Sequence, residues 1–278
     1  MKLKKIAIIG LGLMGASLAR ACRRKLPQVR IVGITRRRSA LEMARRKRWI
    51  HEGTRDLRLG VRSADLVILC TPINTFPGYL ERLDQWARPG TRVTDVGSVK
   101  DRILDWVQRR SWKNIQFVGA HPMVGSHERG IQASQPDLYD EGIIFLVRGE
   151  KTDAGSYRDV KNFWKKISKH IIELKYGKHD RIVSEISHLP HALAASLMHA
   201  VEKKSYAFAA AGFRDTTRVA ASDASVWVPI FWTNRREILR SLSIYENKLK
   251  ELRNSLCAAN DQKIRRFLES AAQKRRQI

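Results

Sequence analysis

The chain has 278 residues, 43% of them hydrophobic, which excludes a disordered chain and is enough to bury a sizeable core in two domains or one large one. Lysine and arginine number 53 against 27 aspartate and glutamate, a formal charge of +26 that draws in anionic small molecules and holds polyanions without sequence preference. Three cysteines (Cys22, Cys70, Cys257), odd in number and far apart, exclude a disulfide framework or metal spacing and point to a reducing, cytoplasmic compartment.

Ile6 to Ile9 is an apolar run of strand length. Gly10-Leu11-Gly12-Leu13-Met14-Gly15 follows in the spacing G-x-G-x-x-G. The first glycine permits the tight turn, the second lets a pyrophosphate approach the backbone, and the third lets the helix pack closely on its strand. That helix, from about Met14 to Arg24, points its amide end at the phosphates. A glycine turn alone is a weak signal; the strand before it, the helix after it and a second apolar strand, Val29 to Ile34, strengthen it. The charged start Met1 to Lys5 with the apolar run after it has the outline of a signal peptide, but the glycines fall where a phosphate turn needs them, so these residues are expected to stay as the first strand.

An NAD site usually ends the second strand with Asp or Glu, which accepts hydrogen bonds from the adenosine ribose. Here Thr35, Arg36, Arg37 and Arg38 stand there. Guanidinium groups bind a ribose phosphate that an acid would repel, so the expected cofactor is NADP, with NAD as the alternative. The competing reading is that these arginines belong only to a generally basic surface.

The alternation continues: a helix over Arg38–Arg48, a strand over Asp65–Cys70 closed by Thr71 and Pro72, a helix over Tyr79–Trp86, and a strand over Arg92–Val96. A helix over Asp101–Arg110, strands over Gln116–Ala120 and Ile143–Val147, a helix over Tyr157–Ser168 and a last strand over Ile171–Lys175 complete it. This is the pattern of an α/β sheet covered by helices on both faces, with ligands beyond the carboxyl ends of its strands. Two strand ends carry polar groups, Gly97-Ser98-Val99-Lys100 and the run His121 to Ser126.

From about His179 strand signals stop. Ile182 to Lys204 reads as a long, largely apolar helical stretch rich in alanine and containing His188-Leu189-Pro190-His191, and further helices run from about Ser222. The expected organisation is a dinucleotide-binding, Rossmann-type domain over residues 1–178 and a helical domain over 179–278. Leu242, Tyr245, Leu249, Leu252 and Leu256 form one apolar seam, which either pairs two subunits or packs within its own. No apolar run approaches a membrane span, and no helix-turn-helix, zinc or RNA-binding signature accompanies the charge. Neither a membrane nor a specific nucleic acid is therefore expected as a partner, and the basicity reads as a property of the host proteome.

The motifs Gly10 to Ala19, Asp95 to Lys100, Gly119 to Gly125, Ser187 to Ala192 and Gly212 to Ala220 stand in the same order as in the prephenate and arogenate dehydrogenases of tyrosine biosynthesis, which the chain resembles over nearly its whole length. The resemblance implies an NAD(P)-dependent oxidative decarboxylation of a cyclohexadienol and a homodimer joined through the helical domain. The chain ends too early for the appended regulatory or chorismate mutase domain of some relatives, and feedback by tyrosine through such a domain is not expected. Leu13, Met14, Thr71 and Pro72 join Gly10, Gly12, Gly15, Thr35, Arg36 and Arg37 as expected cofactor contacts. His188 and His191 are placed on the substrate side of the cleft and Arg218 as a carboxylate clamp. No metal is expected, since the two histidines lack a third ligand.

The chemistry stands beside that resemblance. Prephenate carries a hydroxyl and a hydrogen at ring C4 and a carboxylate at C1, so loss of hydride from C4 creates an acceptor for the electrons of the departing carboxylate, and aromatisation drives the step. The protein must place C4, accept a hydrogen bond from the hydroxyl and hold the carboxylates. His121 is the candidate partner of the hydroxyl, its alternative being a strand-end histidine before a proline. Ser98 either bonds the same hydroxyl, orients His121, or caps the next helix through Ser98-x-x-Asp101. Among substrates prephenate is expected over arogenate, because the clamp residues are donors or potential cations; Asp215 and Asp223 near Arg218 argue the other way. The related β-hydroxyacid dehydrogenases use a lysine with an asparagine four residues on in the long helix, and 182–200 contains neither. A dinucleotide-binding sensor on nucleic acid is the remote alternative.

Overall fold

Strand β1 (Lys5–Ile9) alternates its side chains between two cores: Ile6 and Ile8 enter one and Ala7 and Ile9 the other, all buried. The computed structural model describes residues 3–125 and 128–278; Met1 and Lys2 of the charged start and Ser126 of the polar strand-end run lie outside them. β1 is flanked by β2 (Arg30–Ile34) and β4 (Leu66–Leu69), with β3 (Glu52–Thr54) at one edge. β5 (Thr91–Asp95), β6 (Ile115–Met123), β7 (Ile143–Arg148) and β8 (His170–Lys175) extend the sheet in the order β3-β2-β1-β4-β5-β6-β7-β8. All neighbours are parallel except β6 and β7.

The helices α1 (Leu13–Lys25), α2 (Arg38–Arg46), α3 (Leu57–Val61), α4 (Phe76–Trp86), α5 (Asp101–Gln108) and α6 (Ala154–Ile167) cover both faces. Leu18 and Cys22 of α1 pack with Phe163 and Trp164 of α6 in one core, while Phe76, Leu80 and Leu104 of α4 and α5 fill the other. The short β3 and α3 had no sequence signal of their own. Three residues of strand and five of helix are too brief to set up a period.

β6 runs further than the apolar pattern suggested. It pairs parallel with β5 as far as Thr94 opposite Val118, then antiparallel with β7 from Gly119 to Met123, so His121 lies within the strand opposite Phe145. Pro122 is tolerated there because it needs no ladder donor at the end of the strand.

The helical part begins with α7 (His179–Val183) and α8 (Leu189–Ala200). The helical stretch expected over Ile182–Lys204 consists of α7 and α8 joined by a π-helical turn, Ser184–His188, and it ends earlier than expected, at Ala200. Pro190 in the first turn of α8 has no N–H for the preceding turn, and the widened π turn at that place leaves His188 at its end. α9 (Ala211–Thr217), a 3-10 turn over Arg218–Ala221, α10 (Ala224–Thr233), α11 (Arg235–Cys257) and α12 (Asp261–Arg275) follow. Tyr245, Leu249 and Leu256 of the α11 seam are 36%, 53% and 58% exposed, so the reading of a seam packed within its own subunit is overturned for them.

Candidate active site

At the carboxyl end of β1 the glycine turn has the geometry of a phosphate cradle. Gly10 has φ +96°, and a Cβ there would lie 2.5 Å from the Cys70 carbonyl oxygen; a Cβ on Gly15 would lie 1.8 Å from the oxygen of Gly10. Around Gly12 the same construction meets nothing within 4 Å. Gly12 caps α1 without a side-chain hydrogen bond, so the first amides of α1, through Leu13 and Met14, open onto that space and fit a pyrophosphate. Thr71 faces the turn from the end of β4, its Cγ2 3.1 Å from the position of a Gly10 Cβ, and Pro72 follows it; Thr75 Oγ1 donates to the Pro72 carbonyl at 2.6 Å and meets Thr71 Oγ1 at 2.8 Å.

At the end of β2, Thr35 is half-buried and Arg36 and Arg37 are exposed. Arg37 lines a pocket together with Leu11, Ser39, Met43, Ile131 and Gln132; Arg38 is engaged by Glu42 at 2.8 Å and Arg36 does not line that pocket. Ser39 is a pocket residue that the run of arginines had hidden.

Beyond β5 and β6 the structure assembles a buried relay. His121 Nδ1 lies 3.0 Å from His179 Nε2, and His179 Nδ1 lies 2.7 Å from Asp180 Oδ1. Asp180 Oδ1 also accepts the Lys100 N–H at 2.7 Å, and Oδ2 accepts the Asp101 N–H at 3.0 Å. The carboxylate accepts, so His179 Nδ1–H donates to it and His179 Nε2 accepts from His121 Nδ1–H. His121 Nε2 is then left as an acceptor. Burial, with His179, Lys100 and His188 nearby, holds His121 well below the ordinary histidine range, and burial followed by Lys100 does the same for His179. Burial pushes Asp180 up, against the pull of the two amides and of Lys100.

Ser98 is half-buried on the turn between β5 and α5, but it is not the cap of α5: the helix starts at Asp101 and Lys100 precedes it without a side-chain bond. The cap comes from Asp180, far along the chain, so the capping alternative for Ser98 falls away. His188 accepts at Nδ1 from Asn234 at 3.0 Å, and Asn234 also donates to the Asp180 carbonyl at 2.8 Å. His191 stacks on Trp227 with ring centroids 3.6 Å apart, His188 meets the same indole edge-on, and His191 Nδ1 is buried with no hydrogen-bond partner among the described residues.

Burial brings His188 down to about 4 and lowers His191, which favours the donor role over the cationic one among the two expected; with Nδ1 accepting from Asn234, neutral His188 presents an Nε2–H donor. Arg218 is exposed on a turn packed against α8. Asp223, read as a possible acceptor beside it, caps α10 through the Ser225 N–H at 2.6 Å and pairs with Arg129. His179, Asp180, Asn234 and Trp227 were missed; the adjacent His179-Asp180 at the change of composition was the one available signal.

Two family models match the chain. The nucleotide-binding domain of prephenate dehydrogenase covers residues 18–173, and its dimerization domain covers residues 175–270. A prephenate dehydrogenase of Bacillus subtilis is 32% identical over 276 residues, covering 96% of this chain and 74% of that one. The crystal structure of prephenate dehydrogenase from A. aeolicus with hydroxyphenyl propionate and NAD+ superposes with a TM-score of 0.91 at 27% identity, over 100% of this chain and 99% of that one. A Synechocystis arogenate dehydrogenase superposes with a TM-score of 0.85 at 31% identity, over 98% of this chain and 99% of that one.

Proposed function

Because the chain belongs to the prephenate dehydrogenase family, an NAD(P)-dependent oxidoreductase family, we propose that it converts prephenate to 4-hydroxyphenylpyruvate and CO2 with NADP as the preferred cofactor. The observation that carries this reading is the relay of His121, His179 and Asp180, which leaves His121 Nε2 as a neutral acceptor at the carboxyl end of the same sheet as the glycine turn. The bound dinucleotide supplies the acceptor for the C4 hydride. His121 Nε2 accepts the hydrogen bond of the C4 hydroxyl as that group becomes carbonyl-like, and Asp180 offsets the positive charge that builds on the two imidazoles. Arg218 and the donors of His188 and His191 hold the carboxylates, and Ser98 bonds the hydroxyl beside His121. As the C1 carboxylate leaves as CO2 its electrons aromatise the ring, and the hydroxyl proton stays with the phenol.

The choice of prephenate rests on the donor character of the clamp and on Asp223 being engaged by Arg129 and by the α10 amide, which removes one acceptor for the ammonium group of arogenate. The assay is cofactor reduction with each substrate paired with each cofactor. Prephenate with NADP is expected to give the highest specificity constant. A constant more than about tenfold higher for arogenate, about 1.4 kcal/mol of transition-state preference, overturns the substrate while leaving the chemistry; no reduction with either substrate overturns the function.

Arg37 and Arg36 supply the charge for the ribose phosphate, with Thr35 and Ser39 as hydroxyl partners. Changing Arg36 and Arg37 together to alanine is expected to lower the NADP/NAD ratio of specificity constants by roughly tenfold or more. An unchanged ratio, or a native preference for NAD, removes this assignment. We place the domain division between residues 178 and 179, where the last strand gives way to helices, and the homodimer on the exposed α11 seam. Among the described residues no helix is long and apolar enough to cross a membrane, and we assign the protein to the cytoplasm.

A further inference from the structure

Asp95 and Lys100 bracket the Ser98 turn, and neither is used by the chemistry above. Both are buried, 0% and 1% exposed. Lys100 Nζ donates to Asp95 Oδ2 at 2.6 Å and to the carbonyls of Gly97 at 2.7 Å and Val99 at 3.0 Å, which uses all three of its hydrogens. Asp95 Oδ2 also takes the Gly97 N–H at 2.9 Å.

The other oxygen, Asp95 Oδ1, accepts the Ala120 N–H at 2.9 Å. The β5–β6 ladder ends at Thr94 opposite Val118, so this carboxylate continues the pairing by side chain, one residue before His121. The lysine reaches the relay from its other end as well, since its backbone N–H donates to Asp180 Oδ1, the oxygen that receives His179 Nδ1–H. A Cβ on Gly119 would lie 2.9 Å from Lys100 Cδ, so the strand also lies directly on the lysine stem.

We propose that Asp95 and Lys100 are positioning residues for this reaction: their ion pair locks the end of β5, the Ser98 turn and the β6 backbone beside His121 into one unit, and the Lys100 amide ties that unit to the carboxylate behind His179. A buried ion pair is a costly way to hold a turn, and an apolar pair of similar volume stabilises as well or better. What an apolar pair cannot do is fix two strand ends and a turn through directed hydrogen bonds. The proposal rests on His121 being the partner of the substrate hydroxyl.

The test replaces Lys100→Met, and in a second variant Lys100→Met with Asp95→Asn, which leaves neither charge of the pair. Turnover is expected to fall by roughly ten- to hundredfold in both through misplacement of His121 and Ser98, with the prephenate KM and the NADP dissociation constant changed little. The groups facing His121 are His179 with Asp180, His188, and Lys100 with Asp95. Loss of the ammonium removes a positive charge from that set, so in Lys100→Met the acid limb of the pH profile moves up.

A folded variant whose turnover stays within about twofold of native, with the limb unmoved, overturns the proposal. If Lys100→Met does not fold, the double variant carries the turnover and cofactor measurements, and native turnover there overturns it equally. His121→Ala serves as the reference. Native turnover in His121→Ala removes the reading of the site itself, whereas loss in His121→Ala beside native turnover in the lysine variants removes only the positioning role.

Discussion

His121→Ala is expected to lose roughly a hundredfold or more in turnover, about 2.7 kcal/mol of barrier, while binding NADP as before. The hydrogen bond to the C4 hydroxyl strengthens as that oxygen becomes carbonyl-like, so the loss falls on turnover rather than on KM. Alanine leaves His179 Nε2 without its donor, but His179 is still held by Asp180 and the strand pairing of His121 is made by backbone, so the fold is kept.

The pH profile of the native protein follows from the same environment. Burial and the neighbouring His179, Lys100 and His188 lower His121, so the reactive neutral form persists below pH 6.5 and the specificity constant falls only further into acid. A break at or above pH 6.5 in the native profile, or near-native turnover in a folded and cofactor-binding His121→Ala, takes His121 out of the mechanism.

The dinucleotide half of the site was legible because its requirements are local. Gly10, Gly12 and Gly15 are demanded by backbone geometry within a few residues, and the structure shows that demand directly in the φ of Gly10 and in the space around Gly12. His121 and Ser98 could be picked out as polar groups at strand ends, where such sheets bind ligands.

The rest of the constellation is held by long-range contacts that no window of sequence contains. Asp180 caps a helix that begins 79 residues earlier, and Asn234 joins His188 to the Asp180 carbonyl across 46 and 54 positions. A capping pattern at Ser98 was plausible locally and lost to this distant carboxylate. The lowering of His188 follows from burial, which the composition of the stretch around it did not disclose. Nor did the seam on α11 say where its partner lay; only the exposure of Leu249 and Leu256 in the folded chain separates the two readings.

Asp180→Ala is expected to damage stability and turnover together, for separable reasons. The carboxylate receives three donors, the N–H groups of Lys100 and Asp101 and His179 Nδ1–H, at the place where β5, α5 and α7 meet. Loss of the cap on α5 costs about 1 kcal/mol, and each buried donor left unpaired costs about 1–3 kcal/mol unless water reaches it. With the Lys100 and Asp101 donors counted in the cap and only the His179 donor counted separately, the sum is roughly 2–4 kcal/mol, a fall in Tm of roughly 10 °C for a chain of this size.

Below that melting temperature the folded variant is expected to turn over roughly a hundredfold more slowly. Without Asp180, His179 is free to carry its proton on Nε2, which then opposes His121 Nδ1–H and moves the His121 proton onto the nitrogen that must accept from substrate. Thermal melting with and without NADP, and turnover measured well below the transition, distinguish the two effects. A variant that melts early yet turns over within about threefold of native would leave Asp180 as a helix cap alone and sink the relay as the device that sets the His121 tautomer.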